Sequence, residues 1–121
     1  MAQFELEIVG ALPGGLTREL IQRALGTVRH SHAAIAVEIK FVEPEEMRYL
    51  NQTYRKKDES TDILEFPTAT ATRNEPVVHL GSIVVSATDH LRTLGLDSTL
   101  DDWKELLIHG VKNLLHYHRR M

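Results

Sequence analysis

The last part of the chain carries side chains that could bind a metal ion. Histidine occurs seven times in 121 residues, and three of the seven fall within the last thirteen positions. At about 100° per residue on a helix, His109, Asn113 and His116 lie within a sector of about 60°. Two side chains four residues apart on a helix can converge on one ion, as in helical zinc motifs. The spacing therefore predicts a metal site, with a third ligand from His118 if the chain leaves the helix near Tyr117.

A surface role is the alternative for the same residues. Histidine pairs at the edge of a helix are common without a metal, and residues 116 to 120 (His-Tyr-His-Arg-Arg) are also typical of a basic tail. The spacing alone is compatible with both interpretations.

A second group of polar residues lies in the middle of the chain, in residues 50 to 67. Arg55 could bind a phosphate through its planar, forked guanidinium group, and Lys56 beside it adds positive charge. Asp58, Thr61 and Asp62 could instead fix a turn by hydrogen bonds from side chain to backbone. The segment is therefore a candidate phosphate-binding site, with Arg55 and Lys56 as substrate-binding residues.

Hydrophobic patterns predict the elements that must position these two groups. Apolar and polar residues alternate from Phe4 to Ile8 and from Ile35 to Phe41, which predicts two half-buried strands. Thr17 is placed to cap a helix whose apolar face runs from Leu20 to Val28. A second helix begins at Pro44 and carries three apolar residues at helical spacing: Met47, Leu50 and Tyr54.

The second half of the chain predicts two further strands and two helices. Asp62–Phe66 and Leu80–Ser86 are the strands, with a loop rich in Thr, Pro, Asn and Glu between them. Thr88–Leu94 predicts a short helix. Ser98 or Thr99 is placed to cap the last helix, whose predicted buried stripe is Leu100, Trp103, Leu107, Gly110, Val111 and Leu114.

The element order, β-α-β-α-β-β-α-α, and the length indicate an α+β fold with one domain over residues 1–121. Hydrophobic residues make up 42% and charged residues 26%, an ordinary globular mixture.

The absence of cysteine excludes disulfides and thiolate ligands and suits a reducing cytoplasm. Neither a membrane span nor a secretory signal is expected. The net charge of −3 gives no basic footprint for nucleic acid.

Three segments carry motifs of a known family. Residues 50 to 67 match the pattern L-N-x-x-Y-R-x-x-D-x-x-T-D-V-L-S-F-P nearly throughout. Residues 81 to 86, G-S-I-V-V-S, are similar to a strand of the form G-D-I-V-I-S. Residues 109 to 119 are similar to a helix of the form H-G-x-L-H-L-L-G-Y-D-H. From about residue 35 to residue 118, in this order and spacing, the chain resembles the YbeY family.

This resemblance implies a mixed α/β fold with a four-stranded sheet and a histidine-bearing C-terminal helix. It also implies a metal-dependent endoribonuclease that acts on single-stranded RNA in the maturation of small-subunit (16S-type) ribosomal RNA in the cytoplasm. The implied partners are that RNA and the small ribosomal subunit with its proteins, and no membrane. In the family, three histidines in the pattern H-x-x-x-H-x-x-x-x-x-H bind a divalent metal, taken to be zinc, and the arginine corresponding to Arg55 lines the active cleft.

The chain departs from the family pattern at the metal ligands. His109 matches the first ligand, but Asn113 stands at the second position and Arg119 at the third. One deletion in the turn brings His118 into register with the third ligand instead. His116 stands where the family has glycine and is a candidate substitute ligand. The resulting candidate set is His109, His116 and His118.

Two other departures are expected near the cleft. Glu65 replaces the serine before Phe-Pro, and Ser82 replaces the aspartate after Gly81. Glu65 is either a replacement carboxylate for the site or a solvated strand residue.

Three functions follow as alternatives. The first is a hydrolase in which a metal activates water and Arg55 binds the scissile phosphate. The second is a non-catalytic ribosome-assembly factor that binds RNA and has lost the metal site, as Asn113 and Arg119 suggest. The third is a metal hydrolase acting on a small molecule. The first two require that His109 and Arg55 face one cleft.

Overall fold

The computed structural model describes residues 3–13, 15–30, 34–68, 77–86 and 100–119. Within these ranges the chain forms four strands and three helices in an α+β fold, as predicted from the sequence. In chain order the elements are β1 (Gln3–Val9), α1 (Arg18–Leu25), β2 (Ala34–Val42), α2 (Pro44–Arg55), β3 (Ile63–Pro67), β4 (Val78–Ser86) and α3 (Leu100–Arg119).

The four strands form one mixed sheet in the order β1-β2-β4-β3. Strand β2 is parallel to both β1 and β4, whereas β3 is antiparallel to β4. Parallel neighbours need a crossover connection, and α1 supplies it between β1 and β2. Strand β3 lies at one edge of the sheet, so that side chains can pass around it from one face to the other.

Each face of the sheet packs against different helices. On one face, α1 and α3 cover the main core, whose fully buried members include Ile21, Ile35, Ile39, Ile83, Leu107 and Val111. On the other face, α2 covers a smaller cluster of Val42, Met47, Leu64 and Val84. Strand β3 therefore lies between α3 and α2, the two elements that carry His109 and Arg55.

Gly110 sets the distance between α3 and the sheet. A Cβ atom at this position would lie 3.0 Å from Cδ1 of Ile83 and 3.2 Å from Cδ1 of Ile63. Both distances are shorter than ordinary carbon–carbon contacts. The glycine thus lets this turn of α3, with His109 before it and Asn113 after it, pack directly on β3.

Most local signals in the sequence are confirmed. The Thr17 hydroxyl accepts a hydrogen bond from the Leu20 amide at 3.2 Å, as an N-cap should. Pro44 begins α2. Helix α1 ends at Leu25, earlier than the apolar pattern indicated, and Val28 stays buried beyond it. Tyr54 differs from the prediction, because its side chain is 63% exposed.

The end of α3 also differs from the prediction. The chain does not leave the helix near Tyr117, since α3 continues to Arg119. The predicted short helix over residues 88–94 and the caps at Ser98 and Thr99 lie outside the described residues. None of the helices described is long and apolar enough to span a bilayer.

Candidate functional site

The C-terminal end of α2 presents Arg55 on a loop that Asn51 holds in place. Asn51 is buried, and its Nδ2 donates a hydrogen bond to the carbonyl of Glu59 at 2.8 Å. The Asn51 carbonyl in turn accepts from the amide of Lys57 at 3.4 Å. The loop can turn here because Lys56 adopts a left-handed conformation, with φ of 61°. One amide side chain thus connects the helix end to the chain that leads into β3.

An ion pair on the surface closes the same loop. Nε and Nη2 of Arg48 lie 2.8 Å and 3.1 Å from the two carboxylate oxygens of Asp58. The hydrogen bond from Arg48, and then its charge, holds the pKa of Asp58 below its ordinary value. The prediction that Asp58 bonds to the backbone is therefore wrong: it binds a side chain of α2.

Glu65 on β3 connects the two halves of the site. Its side chain is only 15% exposed, and its Oε2 lies 3.5 Å from Nη2 of Arg55. Its other oxygen, Oε1, accepts a hydrogen bond from Nδ2 of Asn113 at 3.0 Å. Arg55 comes from α2 and Asn113 from α3, which cover opposite faces of the sheet, and the two side chains meet at this edge carboxylate.

Asn113 extends the link to His109. Its Nδ2 also lies 3.2 Å from Nε2 of His109, one helical turn earlier on α3. An amide nitrogen carries two hydrogens, and both acceptors lie on its side. The hydrogen-bond network therefore assigns the amide orientation, with Nδ2 toward Glu65 and His109. In this orientation Nδ2 donates to Nε2 of His109 in the tautomer that carries its proton on Nδ1.

The structure thus links Arg55 to His109 through Glu65 and Asn113 at the edge strand β3. We call these four residues the cleft cluster. Glu65 is part of it and not a solvated strand residue. Lys56 is adjacent in sequence, with an exposed side chain whose Nζ lies 3.4 Å from the carbonyl of Thr53.

Ser82 lies apart from the cleft cluster, contrary to expectation. Its hydroxyl donates to Oε1 of Glu38 on the neighbouring strand at 3.0 Å. Ser82 pairs with Phe66 of β3, whose side chain joins the cluster under α2, whereas Glu65 faces α3. The period of two along a strand therefore places Ser82 on the opposite face of the sheet.

His116 does not join the cluster. It is exposed and lines a groove beside α1. Position 118 is still helical, and nine residues of α-helix place it about half a turn around the axis from position 109. The side chain of His118 lies outside the described atoms, so its role as a ligand stays a prediction.

The donor set of the cleft cluster does not fit a zinc ion. Zinc is held by nitrogen, oxygen or sulfur lone pairs from at least three protein side chains. The Nε2 lone pair of His109 accepts from Asn113, whose amide nitrogen cannot itself act as a ligand. Among the described residues, no three histidine, aspartate or glutamate side chains converge on one point.

A groove of about 720 Å³ lies next to the cleft cluster. It runs between the chain that follows α1 and the outer side of α3, and Asn113 is part of its wall. Arg29, Lys112 and His116 line it with exposed side chains, and no acidic residue is among its lining. No sequence pattern pointed to Arg29, because its contribution depends on the packing of α1 against α3.

An aromatic pair at the sheet edge also escaped prediction. The rings of Tyr54 and Phe66 meet edge to face, with centroids 5.1 Å apart. Tyr54 lies next to Arg55 in the chain and leaves most of its surface in solvent. Helical spacing indicated a buried Tyr54, but α2 ends at the sheet edge, where little covers the ring.

Comparisons with known proteins agree with the motifs. The model of the family described as "Endoribonuclease YbeY" matches residues 14–120. An endoribonuclease YbeY of Nitratiruptor sp. is 44% identical over 84 residues, which cover 67% of this chain and 55% of the relative. That of Aquifex aeolicus is 36% identical over 86 residues, covering 69% and 55%. The chain thus spans about half the length of these two curated relatives.

A solved structure shows a similar fold. The solution structure of a Thermotoga maritima protein matches with a TM-score of 0.51 and 22% identity, over 91% of this chain and 71% of that one. At this identity the likeness concerns the fold alone.

Proposed function

The chain belongs to the YbeY family, and we propose on this basis that it is an endoribonuclease that cleaves single-stranded RNA. The observation that carries the proposal is the cleft cluster, which joins Arg55, from the most specific family motif, to His109, from the family's histidine helix. These two residues are 54 positions apart in the sequence. Their meeting at one strand edge is what a shared active cleft requires.

Arg55 is suited to bind the scissile phosphate. Its side chain is 49% exposed, and only one of its nitrogens contacts Glu65, at a loose 3.5 Å. An exposed pair of this kind contributes little to stability. The other guanidinium donors can therefore bind phosphate oxygens, whose negative charge grows during attack.

Glu65 and His109 are the groups that could move protons at this phosphate. Cleavage of a phosphodiester needs a proton removed from the attacking hydroxyl or water and a proton given to the leaving 5′-oxygen. A carboxylate and an imidazole are suited to both tasks, and Asn113 holds the two within 3.2 Å of one nitrogen. In the proposed reaction, these residues transfer protons and no step involves a metal ion.

The preference for single strands is supported by Tyr54. Its exposed ring packs on Phe66, the residue after Glu65, and Tyr54 precedes Arg55 in the chain, so an unstacked base next to the bound phosphate could pack on the ring. A base inside a duplex would be stacked on its neighbours and unable to reach the ring. The groove lined by Arg29 and Lys112 offers a path for further phosphates on the other side of Asn113.

The biological role we propose is the maturation of small-subunit ribosomal RNA in the cytoplasm, with the small ribosomal subunit and its proteins as partners. Membership of the YbeY family supports this role. The lack of cysteine is compatible with a reducing compartment.

A second candidate is an RNA-binding assembly factor without cleavage. The observation that favours it is the hydrogen bond between Asn113 and His109, because it engages the imidazole lone pair that a metal-dependent nuclease of this family would use.

A cleavage assay separates the two. Purified protein is incubated with labelled RNA in single-stranded and duplex form, with Arg55→Gln and, as a control for the loss of one positive charge, Arg23→Gln at an exposed position on α1. We expect cleavage of the single strand, lowered roughly 100-fold by Arg55→Gln and little by Arg23→Gln. RNA binding without cleavage by the wild type would support the assembly factor, and loss of both would contradict both proposals.

A further inference from the structure

Asn113 stands at the position where the family pattern has its second metal-binding histidine. One nitrogen of this side chain donates to Glu65 at 3.0 Å and lies 3.2 Å from Nε2 of His109. In the family pattern, this position is a histidine and position 65 is a serine. Both partners of this hydrogen bond therefore differ from the family pattern, and they are 48 residues apart in the sequence.

We propose that the Glu65–Asn113 hydrogen bond replaces the metal ion in this chain, so that the cleft is held together without one. A metal ion bound by His109 and a second residue of α3 would hold these two side chains, and the helix turn between them, in place. Here the amide fixes His109 and, through Glu65, ties α3 to β3. The inference rests on the site of the proposed function, but it concerns how that site is held and not whether it cleaves RNA.

The chemistry of each group supports the replacement. The Nε2 lone pair of His109 is the one that a metal would need, and the amide already occupies it. A serine at position 65 could accept the amide as well, but the carboxylate makes a stronger, charge-assisted hydrogen bond. The carboxylate also has a second oxygen for Arg55, so that the arginine is tied to the same bridge.

The change from asparagine to aspartate offers a near-isosteric test. Asn113→Asp would place a carboxylate between Glu65 and His109, where the amide now donates. Without metal, the introduced carboxylate would face that of Glu65, and position 113 would no longer donate a hydrogen bond to it. With zinc, His109, Glu65 and the new carboxylate would form a three-ligand set of the kind that binds it.

The experiment measures zinc content and melting temperature of the full chain, in chelator and in excess zinc. Wild type, Asn113→Asp and Gln52→Glu are compared, the last making the same charge change on the exposed side of α2. For the wild type we expect well under one zinc per chain and the same melting temperature in both buffers. For Asn113→Asp in chelator, we expect melting about 4 °C lower and recovery with zinc. Gln52→Glu should resemble the wild type.

One result on the wild type alone would overturn the proposal: uptake of one zinc per chain with a rise in melting temperature. The ¹⁵N signals of the His109 ring give a second measure that needs no variant. They should indicate an unprotonated Nε2 that zinc leaves unchanged. An Asn113→Asp protein as stable as the wild type in chelator would also contradict the bridge. None of these readouts depends on cleavage, so failure of the nuclease proposal would be seen separately.

Discussion

The guanidinium of Arg55 lies 3.5 Å from the carboxylate of Glu65, although α2, which carries Arg55, covers the face of the sheet opposite to the one that Glu65 faces. The contact is possible because β3 is an edge strand, so the arginine passes around it. Glu65 then leads through Asn113 to His109. The edge of the sheet is therefore where the two family motifs meet.

Arg55 should bind RNA through its phosphates. The affinity of a protein for single-stranded nucleic acid falls with salt, with a slope of about −0.7 per neutralised phosphate. We expect Arg55→Gln to make this slope shallower by about 0.7, measured by fluorescence anisotropy with a labelled single strand from low to moderate salt. Arg23→Gln should keep the slope of the wild type, since Arg23 is exposed on α1 and lies outside the loop that presents Arg55. Equal slopes for all three proteins would contradict phosphate binding by Arg55.

The groove beside α3 should carry the RNA strand beyond the cleft. Arg29→Gln combined with Lys112→Gln removes two positive charges from its lining. We expect the salt slope to become shallower by roughly 1.4, about 0.7 for each lost phosphate contact. Arg23→Gln removes one charge from an exposed position on α1 that does not line the groove, and it should leave the slope unchanged. A double variant that binds like the wild type would exclude the groove from the path.

Asn51 should stabilise the loop that presents Arg55. Asn51→Ala leaves the carbonyl of Glu59 without its amide donor and opens a small cavity at a buried position. We expect the free energy of unfolding to fall by about 1–3 kcal/mol, measured by urea denaturation. Gln52→Ala, at the exposed neighbouring position, is the control and should change it by no more than about 0.5 kcal/mol. Equal stability of the two variants would show that the buried bond contributes nothing.

Gly110 should be needed for the contact between α3 and β3. Gly110→Leu would force a side chain into space already filled by Ile63 and Ile83. We expect a loss of about 1–3 kcal/mol from overpacking and a longer distance between Asn113 and Glu65. Urea denaturation gives the first quantity, and the Asn113 side-chain amide signals report the second. A variant with wild-type stability and unchanged Asn113 amide signals would show that the helix does not need this close approach.

The sequence was sufficient for most of the fold. Alternation in β1 and β2, the Thr17 cap and the Pro44 start all depend on residues close together in the chain, and each is confirmed. The family motifs also predicted that Arg55 and His109 lie close together, and the two are linked through Glu65 and Asn113. Such features can be predicted because local geometry or a shared motif determines them.

The contacts that complete the site could not be predicted in this way. The bond between Glu65 and Asn113 joins residues 48 positions apart, and it depends on the edge position of β3 and on the close packing at Gly110. The placement of Ser82 on the opposite face was missed because proximity in the motif was taken for proximity in space. The end of α3 was missed because a turn was inferred where the helix continues to Arg119.

Whether Arg55 and His109 contact the same bound RNA strand can be measured directly by NMR. The protein is titrated with a single-stranded oligonucleotide that carries 2′-deoxy, phosphorothioate linkages to prevent cleavage, and the Arg55 side-chain and His109 ring signals are followed. We expect both sets of signals to shift with the same midpoint, and the midpoint of the His109 shift to move to a higher oligonucleotide concentration in Arg55→Gln. Signals that saturate at different concentrations, or a shift at only one of the two residues, would contradict a single cleft.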